Sequence, residues 1–326
     1  MGCVSRRQVA TWAVGSFATS AYCATAKEGG WPQRLIKLVV PFPPGGGADF
    51  AARTISLPMA EMLGQPIIID QRPGAGTSIG SSAVAKAAPD GYTLLQVNRD
   101  MAISPSVYAD LDYDTMSSFS WVGKAAEGPY VLAVNAALPI RSLRDVVDYA
   151  KIHRLTYAGI GIGGLAHLNT EGLKEHLGID LLHVPYKGAG PAVAATVAGE
   201  TAMTLVAVTG ALPFIESGKL RALLVGSNAR SPLLPHVPTA AELTGDPELI
   251  LPTYYGIAAP AGTSPEILDL LTMALKRAID DPMVVRKLIA NGLLPAFAPP
   301  AELRNTMSTD LVNFAARVKK AGISFQ

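Results

Sequence analysis

The chain has 326 residues, more than one compact core needs and enough for two. Hydrophobic residues make up 49% and charged residues 16%, which excludes a disordered, highly charged chain. With 27 basic and 26 acidic residues the net charge is +1, so no basic field exists for nucleic acid or an anionic membrane surface.

The first thirty residues differ from the rest. Arg6 and Arg7 precede an uncharged apolar run, Val9 to Ala21, and Ala24-Thr25-Ala26 then offers an A-x-A cleavage site. That order is the pattern of a secretory signal peptide, so residues 1–26 are expected to be removed on export to the periplasm. Ser5-Arg6-Arg7-Gln8 also resembles a twin-arginine export signal. Both cysteines, Cys3 and Cys23, fall in this segment, so a mature chain starting after Ala26 has neither disulfide nor thiol.

From there short β-branched runs alternate with helical stretches. Ile36–Val40, Ile67–Ile69 and Thr93–Val97 read as strands, the first two followed by a glycine loop and a helix. Tyr130–Val134 is another strand. A helix follows from Ser142 to Lys151, with Ser142 as N-cap and Asp145 three residues on. Leu155–Gly159, Leu181–Val184, Met203–Val208 and Leu220–Val225 continue the strand series, and a proline-rich stretch, 231–252, has the punctuation of a crossing between domains. Tyr254–Ala259 is the last strand, before a helix opened by Ser264-Pro265 and a final helix over 300–320. The repeated strand, loop and helix predict an α/β fold with parallel strands.

Four loops could carry chemistry. Pro41-Phe42-Pro43-Pro44-Gly45-Gly46-Gly47-Ala48-Asp49 joins a strand to a helix start, where free N–H groups suit an anion, and no Lys-Ser/Thr follows to make it a P-loop. Asp49 is equally placed to cap that helix. In the second loop, Gly76-Thr77-Ser78-Ile79-Gly80 spells the G-x-S-x-G of a nucleophile elbow, which makes an exported serine hydrolase using Ser78 the rival reading. Pro73 and intervening loop residues separate it from the preceding strand, against the elbow's geometry. The third, Gly159 to Gly164, is a loose dinucleotide fingerprint without its downstream acidic partner, and His167 just beyond it is a lone histidine. The fourth, Val184-Pro185-Tyr186-Lys187-Gly188, offers Lys187 to a carboxylate. The histidines lack metal-ligand spacing, and no cofactor motif or nucleophile–base pair accompanies the loops. The pattern favours binding over catalysis, with no cofactor and no metal.

At these loops the sequence resembles the receptors of tripartite tricarboxylate transporters, the Bug-type solute-binding proteins. The matching stretches are Val40 to Asp49, Arg72-Pro73-Gly74-Ala75-Gly76, Pro89-Asp90-Gly91-Tyr92-Thr93-Leu94, Val184 to Gly188, Ser217-Gly218-Lys219-Leu220-Arg221, and Tyr255-Gly256 with Ala259 to Thr263. They are collinear and span most of the chain. The resemblance implies a type II periplasmic-binding-protein fold: two lobes, 27–128 plus 251–326 and 129–250, with a ligand cleft and crossover strands at Tyr130–Val134 and Tyr254–Ala259. It also implies a monomeric receptor for a small carboxylate that delivers to membrane permease subunits. Ligand contacts are then expected at Phe42, Pro43, Gly45, Gly46, Asp49, Gly76, Thr77, Ser78 and Asn98 in one lobe. The other lobe would contribute Gly161, Gly163, His167, Tyr186, Lys187 and Gly188. Pro58, inside the first helix, is expected to kink or restart it. Gln71 stands where the family usually has asparagine, and Ala195 where an aspartate is frequent.

Overall fold

The computed structural model describes residues 30–227 and 229–323. The signal segment and both cysteines lie outside them. Among the described residues no helix is long and apolar enough to cross a membrane.

Two mixed sheets organise the chain. The first, in the order β11-β4-β10-β3-β1-β2, comprises β1 (Ile36–Val40), β2 (Ile67–Gln71), β3 (Thr93–Val97), β4 (Phe119–Gly128), β10 (Thr253–Pro260) and β11 (Leu294–Ala298). The second, β7-β6-β8-β5-β9, comprises β5 (Tyr130–Asn135), β6 (Leu155–Ile160), β7 (Leu181–Tyr186), β8 (Met203–Ala207) and β9 (Leu220–Gly226). The chain passes from the first sheet to the second at Gly128-Pro129-Tyr130 and returns ahead of Thr253. Both strands expected at the crossings, β5 and β10, begin at these passages.

The expectation of parallel strands holds only in part. β1, β2 and β3 are mutually parallel, as are β6, β7 and β8, but β10 and β5 run antiparallel to their neighbours. A strand arriving from the other sheet enters at the end facing that sheet, and so runs against strands fed by local helix crossovers. The parallel strands therefore all end on the side where the chain crosses.

Helices cover the sheets: α1 (Gly47–Leu63), α2 (Ser78–Ala85), α3 (Asp100–Val107), α4 (Leu143–Ala150), α5 (Leu165–Leu177), α6 (Ala189–Ala198), α7 (Val208–Glu216), α8 (Ala240–Thr244), α9 (Pro265–Asp280), α10 (Pro282–Ala290) and α11 (Pro300–Ala321). β1 is the innermost parallel strand of its sheet, and Ile36, Leu38, Val39 and Val40 are all buried, as a strand covered on both faces requires. α4 starts as its sequence predicts: Ser142 Oγ accepts from Asp145 N at 3.1 Å, while the Asp145 carboxylate takes Arg141 N at 2.8 Å. α1 continues through Pro58 rather than restarting there. Ile55 and Met59, buried on either side of the proline, anchor both turns to the core and offset the one lost backbone bond. The proline-rich stretch holds α8, whose Thr239 and Glu242 form a reciprocal capping box.

Candidate ligand-binding site

β1 and β3 of the first sheet and β6, β7 and β8 of the second end around one cavity of about 240 Å³. The loop after β1 brings Phe42, Pro43, Gly46 and Gly47 to its wall, and the turn after β3 brings Asn98 and Asp100. Lys187 and Gly188 come from the loop after β7, and Ala207 from the end of β8. Tyr130 and Tyr255, at the starts of the two returning strands, close it. Ligands in open α/β sheets bind outside the carboxyl ends of the strands, where this cavity lies.

Two helices begin at the wall with their N–H groups uncommitted to any side chain. The N-caps of α1 and α6 are Gly46 and Gly188, and neither helix has a side-chain cap. Free N–H groups and the positive end of the helix dipole suit an anion at both points. Gly47 must be glycine, because an added Cβ would lie 2.5 Å from the Tyr255 hydroxyl.

Asp49 does not line the cavity. Its carboxylate accepts from Gly45 N at 3.1 Å, Arg53 Nε at 2.8 Å and Gln71 Nε2 at 2.8 Å. It holds the triglycine loop in place, with Gly45 at φ +88°. Gln71, a departure from the family pattern, supplies one of the three donors.

The loop after β2 is also absent from the wall. Gly74, Ala75, Gly76 and Thr77 all have positive φ, a run costly for Ala75 and Thr77. The Gly76 carbonyl accepts from Ser104 Oγ, which ties this loop to α3. Ser78 is buried, and its Oγ has no hydrogen-bond partner among the described residues, histidine included. A nucleophilic serine is activated by a base at hydrogen-bond distance, and no histidine stands at that distance from Ser78 among the described residues.

In the second sheet's loops, Gly161, Gly163, His167 and Tyr186 also stay off the wall. His167 Nδ1 accepts from Gly163 N at 3.0 Å, which fixes the turn before α5. Its ring stacks on His183 at 4.2 Å, and His183 on Tyr157 at 4.8 Å. Burial lowers the pKa of both imidazoles, that of His183 to about 4, so both are neutral packing groups at neutral pH. The Tyr186 hydroxyl donates to Glu200 at 3.4 Å.

Two glycines expected to approach a ligand, Gly163 and Gly188, also approach the opposite half of the molecule. A Cβ on Gly188 would lie 2.6 Å from Pro43, and one on Gly163 2.6 Å from Val107. Asp100, at the start of α3, reaches across the cleft: its Oδ1 accepts from Leu165 N, the first residue of α5, at 2.9 Å. Beside the crossing, Arg99 pairs with Asp310 at 3.2 Å and donates to Pro252 O at 3.0 Å.

Asn98 is 3% exposed and its Oδ1 has no partner among the described residues, although it stands at the cavity wall. Buried amide groups are rarely left unpaired, so this oxygen is an acceptor available at the wall. Asp100, Tyr130 and Tyr255 line the site but escaped the sequence reading. Their signal was positional: an acidic residue three places beyond a parallel strand, and a tyrosine at each sheet crossing. Burial, and then the Asp100 charge, pushes both phenols up, so their hydroxyls stay protonated donors.

Residues 51–322 match the model of the tripartite tricarboxylate transporter family receptor. The chain belongs to this family. Protein BugT of Bordetella pertussis is 35% identical over 95% of this chain and 96% of its own length. Among solved structures, the periplasmic binding protein BugD is similar at a TM-score of 0.85 with 30% identity, covering 90% of this chain and all of that one. A protein of R. palustris solved with adipate gives 0.86 with 32% identity over 91% of this chain and all of its own. MatC from Rhodopseudomonas palustris, solved with malate, gives 0.81 with 31% identity over 88% of this chain and its full length. The receptor thus has the two-lobed periplasmic-binding-protein fold, with the cavity where the strand ends of its two sheets meet.

Proposed function

We propose that this receptor captures one small carboxylate per chain, a mono-, di- or tricarboxylate or an acidic amino acid, and carries out no catalysis. The carrying observation is the cavity itself: the open N-termini of α1 and α6, Lys187 and the unpaired Asn98 amide all stand on its wall. The two helix starts and Lys187 favour a carboxylate, while the Asn98 Oδ1 is an acceptor for a donor group on the ligand. The relatives solved with adipate and malate support the ligand class. The contact set is Phe42, Pro43, Gly46, Asn98, Lys187 and Gly188, with Asp49 and His167 holding the loops behind it.

In this reading residues 1–26 direct export to the periplasm. The mature chain works as a monomer of two lobes, 27–128 plus 251–326 and 129–250, and hands its ligand to permease subunits of a tripartite tricarboxylate-type transporter. Native mass spectrometry of the purified mature protein tests it. A small carboxylate released at one per chain is expected. An empty protein with no thermal shift across mono-, di- and tricarboxylates sinks the carboxylate assignment. Labelling of Ser78 by an active-serine probe would replace this reading with the hydrolase.

A further inference from the structure

The cavity wall carries one anion and one cation, Asp100 and Lys187. They are not equivalent. Lys187 is exposed and adjoins the open N-terminus of α6. Asp100 is half-buried and stands on the cavity wall. One oxygen accepts from Leu165 N at 2.9 Å, and among the described residues no cation pairs with it. The N-terminus of α5 is thereby already taken by a protein carboxylate, whereas those of α1 and α6 are open. A ligand carboxylate is drawn to the second pair and repelled from the first.

We propose that Asp100 makes the receptor selective for a zwitterionic solute, an amino-carboxylate whose ammonium lies against Asp100 and whose carboxylate lies toward Lys187 and the starts of α1 and α6. This rests on the carboxylate-receptor reading and narrows it. Leaving an ionised carboxylate enclosed without a counter-charge is costly, and a ligand cation removes that cost. A second ligand carboxylate at the same place adds repulsion instead, which is how a site rejects a close analogue. Burial raises the Asp100 pKa, as it does for a carboxyl lacking a cationic partner. The phenols of Tyr130 and Tyr255 beside it supply hydroxyl oxygens able to accept from an ammonium and ring faces that attract one. At about 240 Å³ the cavity has room for roughly eight water-sized groups, enough for a short-chain amino acid.

The test is calorimetric titration of the mature protein with matched pairs that differ only in the amine: aspartate against succinate, glutamate against glutarate, and γ-aminobutyrate against butyrate. The wild-type protein is expected to bind the amino member of at least one pair about tenfold or more tighter than its partner. Asp100→Asn should erase or reverse that preference, whereas Lys187→Met should weaken both members alike. The wild-type comparison needs no variant, so a misfolded substitution cannot obscure it. Carboxylates binding without amine preference overturn the role of Asp100 and leave the receptor reading intact. If no member of any pair binds, both readings fall.

Discussion

Asp49 separates a structural role from a ligand contact, because the two make opposite predictions for Asp49→Ala. The carboxylate accepts from Gln71 at 2.8 Å and Gly45 N at 3.1 Å, and both donors lose their partner in the variant. Hydrogen bonds to a charged group contribute about 1.5–3 kcal/mol each. The Arg53 pair adds only about 0.3–0.5 kcal/mol, since that arginine side chain is 56% exposed. The contributions are coupled, so the expected loss is about 2–4 kcal/mol rather than their sum. In a chain of about 300 residues that lowers Tm by about 3–6 °C. Thermal melts of the ligand-free protein read this directly, and Asp49→Asn should fall between wild type and Asp49→Ala. Affinity for the bound solute should drop only modestly, through loosening of the triglycine loop. If the melting temperature of the ligand-free protein is unchanged while binding vanishes, Asp49 faces the ligand and the cavity described here is wrong.

Gly188→Ala places a Cβ 2.6 Å from Pro43, roughly 1 Å inside normal contact. The lobes then meet less closely, and affinity should fall roughly 5- to 100-fold. The melting temperature of the ligand-free protein should stay near wild type, and an affinity within twofold of wild type would show that this contact does not limit closure. Arg99→Met leaves Asp310 buried without its cation beside the sheet crossing, at a cost of about 3–5 kcal/mol, which chemical denaturation measures. A midpoint equal to wild type would refute that account. His183, lowered to about 4 from 6.5 chiefly by burial and then by His167, takes up its proton in the folded state at a lower pH than it does in the unfolded chain. The unfolded chain binds more protons between those values, so stability is fully present above pH 6.5 and declines as pH falls toward 4. Half-exposure limits the effect to about 1–2 kcal/mol after solvent screening. NMR titration of the imidazole should show no ionisation above pH 5.5 or so, and a midpoint near 6.5 would contradict the stacking account.

Much of the frame was legible because its signals are local. β1 and β3 are short, mostly apolar runs, interrupted by Lys37 and by Gln96, and their observed bounds match those read from sequence. The caps of α4 and α9 likewise depend on residues three apart. β4 was missed because Gly123 and Lys124 break its alternation. The structure explains both: Gly123, at φ +153°, sits at a register shift against β10, and Lys124 pairs with Glu127. α7 was read partly as strand because Val208 continues the apolar run of β8 without a break, and a buried strand and a buried helix start look alike there. The site was legible as a set of loops but not as a set of contacts. Asp49 and Lys187 are both charged residues beside glycines, and only tertiary distances show that one is committed to the loop and the other is free for the cavity.

The glycine loops bear on how binding and closure are linked. From sequence alone Gly163 and Gly188 read as places where a ligand meets backbone, yet in the structure each admits a side chain from the other lobe. The same approach sets Asp100, on the first lobe, against Leu165 N on the second. Bringing the lobes together therefore encloses Asp100, and without a counter-charge that step is disfavoured. A ligand can shift the open–closed balance only by its differential affinity for the two states. A solute whose cation meets Asp100 has that differential affinity, because its ion pair forms in the enclosed site and not in the open one. On the proposal made for Asp100, a solute offering only carboxylates would form no such pair and would favour closure less. Selectivity would then lie in which ligands let the lobes meet, more than in which ones reach the wall.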